Sequence, residues 1–191
     1  MVWPLSDITK LAHDFSTVAT ADPVSAVLLL VGAVLGIVQA LHRTNVFRGV
    51  IESSDYYSVL TGHGVLLALF FTIFFLTGIF TWGTTRSLDR GLPNPGFSLV
   101  WFGLMFGGAV ATSVAIFGGL VGQIPFSADV LYTFYAPLQA HPLFYAGLAA
   151  FLVGTWLAGA DWFRTFYRWR RDNPDERIPL QTFMVLTTML M

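Results

Sequence analysis

The chain contains no cysteine. That absence excludes disulfides, thiolate metal centres and cofactors attached through cysteine. Charge is scarce too: Lys, Arg, Asp and Glu make up 11% of the 191 residues, against about 25% in an ordinary soluble domain. The net charge is −1 and no basic stripe lies outside the loops, so nothing points to nucleic acid as a partner. No Gly-rich phosphate loop, nucleophile triad or carboxylate pair is present, which leaves those chemistries without their residues. The N-terminus carries Asp7, Lys10, Asp14 and Asp22 and lacks the basic-then-apolar layout of a cleaved signal peptide. The apolar blocks share no period, so no internal repeat is read.

What the chain has in abundance is apolar surface. Hydrophobic residues are 55% of it, mean hydropathy is +0.67, and the apolar residues fall in long blocks. This composition predicts an all-α, polytopic transmembrane helix bundle embedded in a lipid membrane. Residues 1–23 read as a polar interfacial arm, with Pro23 suited to a helix start. Spanning helices are expected at 24–41, 57–83, 97–121 and 143–161, all within one transmembrane domain. Gly32 and Gly36 of the first make a face for close helix packing. Residues 42–55, 86–96 and 123–141 read as loops, and Arg164–Arg177 as a charged loop. A fifth apolar run, 180–191, gives only ~18 Å of helix against a hydrocarbon core of about 30 Å. A helix cannot end comfortably in mid-membrane, so the chain is expected to be the N-terminal part of a longer membrane protein, or half of a split one.

Lys and Arg set the orientation. With the N-terminus cytoplasmic, eight fall on inside segments (Lys10, Arg86, Arg90, Arg164, Arg168, Arg170, Arg171 and Arg177) and two, Arg43 and Arg48, outside.

Within the second helix one residue stands apart. His63, in YYSVLTGHG (Tyr56–Gly64), is the only ionisable group between Asp55 and Arg86, apart from the tyrosines that open the helix. An imidazole in such a run is a functional candidate. Gly62 and Gly64 flank it with nothing bulky, so a flat ligand has room to approach. Phe70 and Phe74 follow at seven and eleven positions, on the same predicted face. A neutral imidazole above an aromatic and aliphatic wall suits an axial ligand to haem iron. The plainer alternative is a histidine hydrogen-bonded to a neighbouring helix. From Tyr57, His63 lies ~9 Å below the outer surface.

The other candidates carry plainer readings beside the functional one. His141, before Pro142, reads as a helix cap, His42 as a helix-terminus cation, and His13 carries no signal. Tyr132 and Tyr135, in VLYTFYAPL (Val130–Leu138), read as interfacial anchors or pocket residues. Gln39 suits a haem propionate or another helix. Asp161 is expected to end the fourth helix in an ion pair with Arg164.

At these residues the sequence resembles a family. YYSVLTGHG and VLYTFYAPLQAHPLFYAG (Val130–Gly147), in this order after a first helix ending in QALHR (Gln39–Arg43), are similar to subunit I of the haem-copper oxidases, specifically the B-family, ba-type cytochrome c oxidases. The resemblance implies that His63 is an axial ligand of low-spin haem b, with Gly62, Gly64, Phe70, Tyr132 and Tyr135 as a pocket and no catalytic residue in this portion. It implies a high-spin haem and copper held by later helices, in a subunit of twelve or more helices. It also implies a copper-bearing subunit II, cytochrome c or a small copper protein as electron donor, and a place in the cell membrane. The function implied is oxygen reduction coupled to proton pumping, with residues 1–191 inactive alone. Three other readings stay open: a nitric oxide reductase-like relative, a small non-enzymatic membrane cytochrome b anchor, and a transporter or scaffold without cofactor.

Overall fold

In the computed structural model the described residues are 5–44, 46, 50–118, 127–131 and 133–191, with side chains described from residue 23 onward. Among them the secondary structure is helical: α1 (Leu5–Arg43), α2 (Ser53–Gly64), a π-helical segment (Val65–Phe71), α3 (Thr72–Ser87), α4 (Pro95–Gly118), α5 (Pro142–Asp172) and α6 (Leu180–Leu190). Among the described residues four stretches are long and apolar enough to cross a membrane: Pro23–Arg43, Ser53–Ser87, Pro95–Gly118 and Pro142–Asp172. The protein is a multi-pass helical membrane protein.

The helix bounds differ from the expectation in three places. α1 begins at Leu5 and carries Pro23 inside it, so the polar arm continues the first spanning helix. The second crossing is one helix of 35 residues, ~50 Å long, and its middle is π-helical. α5 continues to Asp172, so the run from Arg164 to Asp172 is helix and Asp161 lies inside it. α6, with 11 residues, is shorter than a crossing requires.

In a membrane, helix association relies on close van der Waals packing, and small residues permit it. The α4–α5 contact shows this directly. A Cβ on Gly108 would stand 2.5 Å from the Gly147 carbonyl oxygen and 2.6 Å from the Phe151 nitrogen. The two backbones touch, and only glycine fits. Around this seam sit the fully buried Phe70, Phe74, Met105, Phe144 and Phe151. The rings of Phe70 and Phe74 lie 4.7 and 5.4 Å from that of Phe151, within the range in which aromatic pairs attract.

The segment before α5 folds back on α2. Ala128 pairs with Ala140 in an isolated bridge, and the His141 N–H donates to the Ser127 carbonyl at 2.8 Å. Leu131 and Phe134 take positive φ of 60° and 55°. The turn they form presents the Leu131 N–H to Thr61 Oγ1 at 3.0 Å. Ser58 Oγ, one turn earlier on α2, donates to Asp129 Oδ1 at 2.8 Å. The loop is thereby tied to the helix that carries His63.

Candidate functional site

His63 faces α1. Its Nδ1 lies 2.8 Å from the carbonyl oxygen of Gly32. A carbonyl only accepts, so Nδ1 carries the hydrogen and Nε2 keeps its lone pair. Metal-ligating histidines are commonly held in this way: one ring nitrogen donates to a backbone carbonyl, which fixes tautomer and ring orientation, while the other meets the metal. The ring rests where α1 has no side chain. A Cβ on Gly36 would come within 2.8 Å of His63 Cε1. Gly32 and Gly36, one turn apart, thus supply an accepting carbonyl and clearance for a single imidazole.

The α1–α2 contact continues on both sides of this point. Toward α3, a Cβ on Gly32 would meet the Leu67 side chain at 2.6 Å. In the other direction Gln39, which is buried, donates from Nε2 to the Val59 carbonyl at 3.5 Å. Of the two roles open to Gln39, the structure shows the helix-to-helix bond. Next, the rings of His42 and Tyr56 stack at 4.7 Å, and Arg43 Nε donates to the Tyr56 hydroxyl at 3.0 Å. His63 is therefore one rung of an antiparallel ladder, and it is half-buried.

Two features near His63 differ from the sequence reading. Gly62 is closed over: a Cβ there would meet Leu35 at 3.1 Å and Ile116 and Phe117 at 3.3 Å. Its missing side chain serves the packing of α1 and α4 on α2. Phe70 and Phe74 turn to Phe151 of α5, while His63 turns to Gly32 of α1. The π segment between them is the reason. A π turn holds more residues than an α turn, so the face-sharing that 3.6-residue spacing implies is lost across Val65–Phe71. Gly64 is the half-buried last residue of α2, where that segment begins.

Tyr135 is 62% exposed, and its backbone N–H donates to the Val130 carbonyl at 2.8 Å. Tyr132 lies outside the described residues, as does the side chain of His13. His141 caps α5: its Nδ1 accepts from the Leu143 N–H at 3.1 Å. Among the described residues no three His, Asp or Glu side chains gather as a metal cluster.

Asp161 is not the terminal ion-pair partner expected. It is fully buried inside α5 and accepts from Ser98 Oγ at 2.9 Å and Trp101 Nε1 at 3.3 Å, both on Oδ2. The Arg164 guanidinium lies instead 5.2 Å from the centre of the Phe97 ring. Sequence reasoning missed this site because it ended the helix at Asp161. The signal was the Ser98–Trp101 pair, two donors one turn apart on α4.

Comparison with known proteins bears on this architecture. Residues 23–191 match the family model for cytochrome c and quinol oxidase polypeptide I. Cytochrome c oxidase subunit 1 of Thermus thermophilus is 34% identical over 172 residues, covering 85% of this chain and 29% of that protein. A solved chain from a heme-copper terminal oxidase dimer superposes with a TM-score of 0.77 at 30% identity, covering 88% of this chain and 28% of its own length. The chain thus spans under a third of the length of these relatives. The Thermus relative accords with the B-family, ba-type resemblance. With a match over nearly all of the described helices, the chain belongs to the cytochrome c and quinol oxidase polypeptide I family, subunit I of the haem-copper oxidases.

Proposed function

We infer that residues 23–191 belong to the electron-carrying part of a respiratory oxidase, and that His63 is an axial ligand of low-spin haem b through Nε2. The observation that carries this is the 2.8 Å contact from His63 Nδ1 to the Gly32 carbonyl, which leaves Nε2 as the ring's only basic nitrogen. Haem and copper are the cofactors that family membership implies, and the residues present fit one axial position of a haem. A haem held there would supply one-electron transfer.

The chain's own residues hold and aim the ligand. Gly32 fixes the tautomer. Gly36 makes room for the ring. Thr61 and Ser58 tie the ligand helix to the loop that contains Tyr132 and Tyr135. Gly62 lets α1 and α4 pack closely on α2 beside His63, and Phe70 anchors the π-helical segment that follows on α5.

In this reading the second axial histidine, the high-spin haem and the copper site come from the rest of subunit I. Electrons arrive from cytochrome c or a small copper protein by way of a copper-bearing subunit II. Oxygen is reduced to water and protons are pumped across the cell membrane. The N-terminus is cytoplasmic, supported by eight Lys and Arg on that side against two on the other. Oxygen uptake by the purified oxidase, with reduced cytochrome c or a small copper protein as donor, tests this. His63→Ala is expected to reduce uptake to background; unchanged uptake contradicts the reading.

A further inference from the structure

Near its C-terminal end α5 carries an arginine-lined cleft on its outer face. Arg164 and Arg168, four residues apart, share one side of the helix. With Phe163 and Tyr167 they line an open, mostly apolar cleft of about 300 Å³. Both arginines are exposed. Among the described residues no carboxylate lines the cleft, and neither arginine is in an ion pair: Asp172 takes Arg90 and Arg171 instead. Asp161, just before Arg164, is turned inward to Ser98 and Trp101. Arg170 donates to the Glu176 carbonyl at 2.6 Å. Arg164 rests over the Phe97 ring, which holds its guanidinium beside the start of α4. The arginines of α5 thus divide. Arg170 and Arg171 are tied to protein oxygens, while Arg164 and Arg168 face a cleft without a counter-charge.

The position of the cleft points to what fills it. Arg164 lies 22 residues after Pro142, ~33 Å along the helix, against a hydrocarbon core of about 30 Å. The two arginines therefore stand at the border of the hydrocarbon, where phospholipid phosphates lie. From there an exposed apolar stripe runs back along α5 through Tyr167, Trp156, Val153 and Leu152, with Tyr167 70% and Trp156 67% exposed. Covering unpaired guanidinium groups with another apolar helix is costly. A phosphate diester instead accepts several charge-assisted hydrogen bonds from them.

We propose that this cleft is a binding site for an anionic phospholipid. Arg164 and Arg168 donate to its phosphate oxygens, Phe163 and Tyr167 flank the glycerol, and one acyl chain lies along the stripe past Trp156. The proposal is independent of the haem reading.

Photocrosslinking of the purified, assembled oxidase in lipid nanodiscs tests it. Phosphatidylglycerol and phosphatidylcholine with the same photoreactive acyl chain are each added at trace level to a phosphatidylcholine bilayer, and crosslinked peptides are mapped by mass spectrometry. Labelling of residues 152–167 is expected to favour phosphatidylglycerol at least about fivefold, the preference that one Lys or Arg gives near a membrane surface. Arg164→Gln/Arg168→Gln should remove that preference. Arg170→Gln/Arg171→Gln, which deletes the same charge beside the cleft, should leave it unchanged. Equal labelling of the wild type by the two lipids overturns the proposal, whether or not the variants assemble. An equal loss in both double variants overturns it too, because diffuse charge attraction then suffices. Loss of the preference in excess inorganic phosphate at constant ionic strength also overturns it, because the cleft is then a site for the free anion.

Discussion

The His63 ring lies so close to Gly36 that a single added carbon would reach within 2.8 Å of its Cε1. On another side the ring is held by the Gly32 carbonyl. The imidazole therefore has little freedom to yield, and α1 acts as its mould.

Gly36→Ala should then displace the ring and weaken haem retention. Loss of a supporting interaction around a metal ligand typically costs 10–100-fold, so a drop of at least about tenfold in haem affinity is expected. Gly36→Val should be worse. The haem-to-protein ratio of the purified variants, after extended washing in detergent, checks this.

The α4–α5 seam makes a paired prediction. Gly108→Ala puts a methyl against the Gly147 oxygen and the Phe151 backbone, where neither side can move without separating the helices. Overpacking of this kind costs about 1–3 kcal/mol. Gly103→Ala, on the same helix with nothing within 4 Å, should change stability by no more than about 0.5 kcal/mol. Denaturant unfolding in detergent measures both. Equal effects would remove the close backbone approach from the account.

Much of this fold is legible in the sequence, and the reasons are specific. Four apolar blocks of crossing length announce the bundle because a helix satisfies its own backbone in lipid. Gly32 and Gly36 announce a close contact of α1. His63 stands out because it is alone among apolar neighbours. What is not legible is what depends on a partner helix. Nothing in Val65–Phe71 marks it as π-helical, yet that segment turns Phe70 away from the histidine. Asp161 followed three residues later by Arg164 looks like a surface pair. Its burial is decided by Ser98 and Trp101, some sixty residues earlier. Gly62 resembles an opening for a ligand until Leu35, Ile116 and Phe117 arrive from α1 and α4.

The loop clamp on α2 yields a further prediction. Thr61 is fully buried, and its hydroxyl receives the Leu131 N–H while donating to the Tyr57 carbonyl at 2.8 Å. Thr61→Val keeps the shape and removes the acceptor. A lost hydrogen bond that strands a backbone donor costs about 1–3 kcal/mol. Amide hydrogen exchange at Leu131 should accelerate accordingly, with residues of the α4–α5 seam unaffected.

The most direct measurement is the optical and electron-paramagnetic-resonance spectrum of the assembled oxidase carrying His63→Ala. The account predicts loss of the low-spin haem signal and of its reduced alpha band, with high-spin haem and copper signals retained. Added imidazole should partly restore the low-spin signal in His63→Gly. A His63→Ala protein with haem content and alpha band unchanged would contradict the assignment of His63 as the ligand.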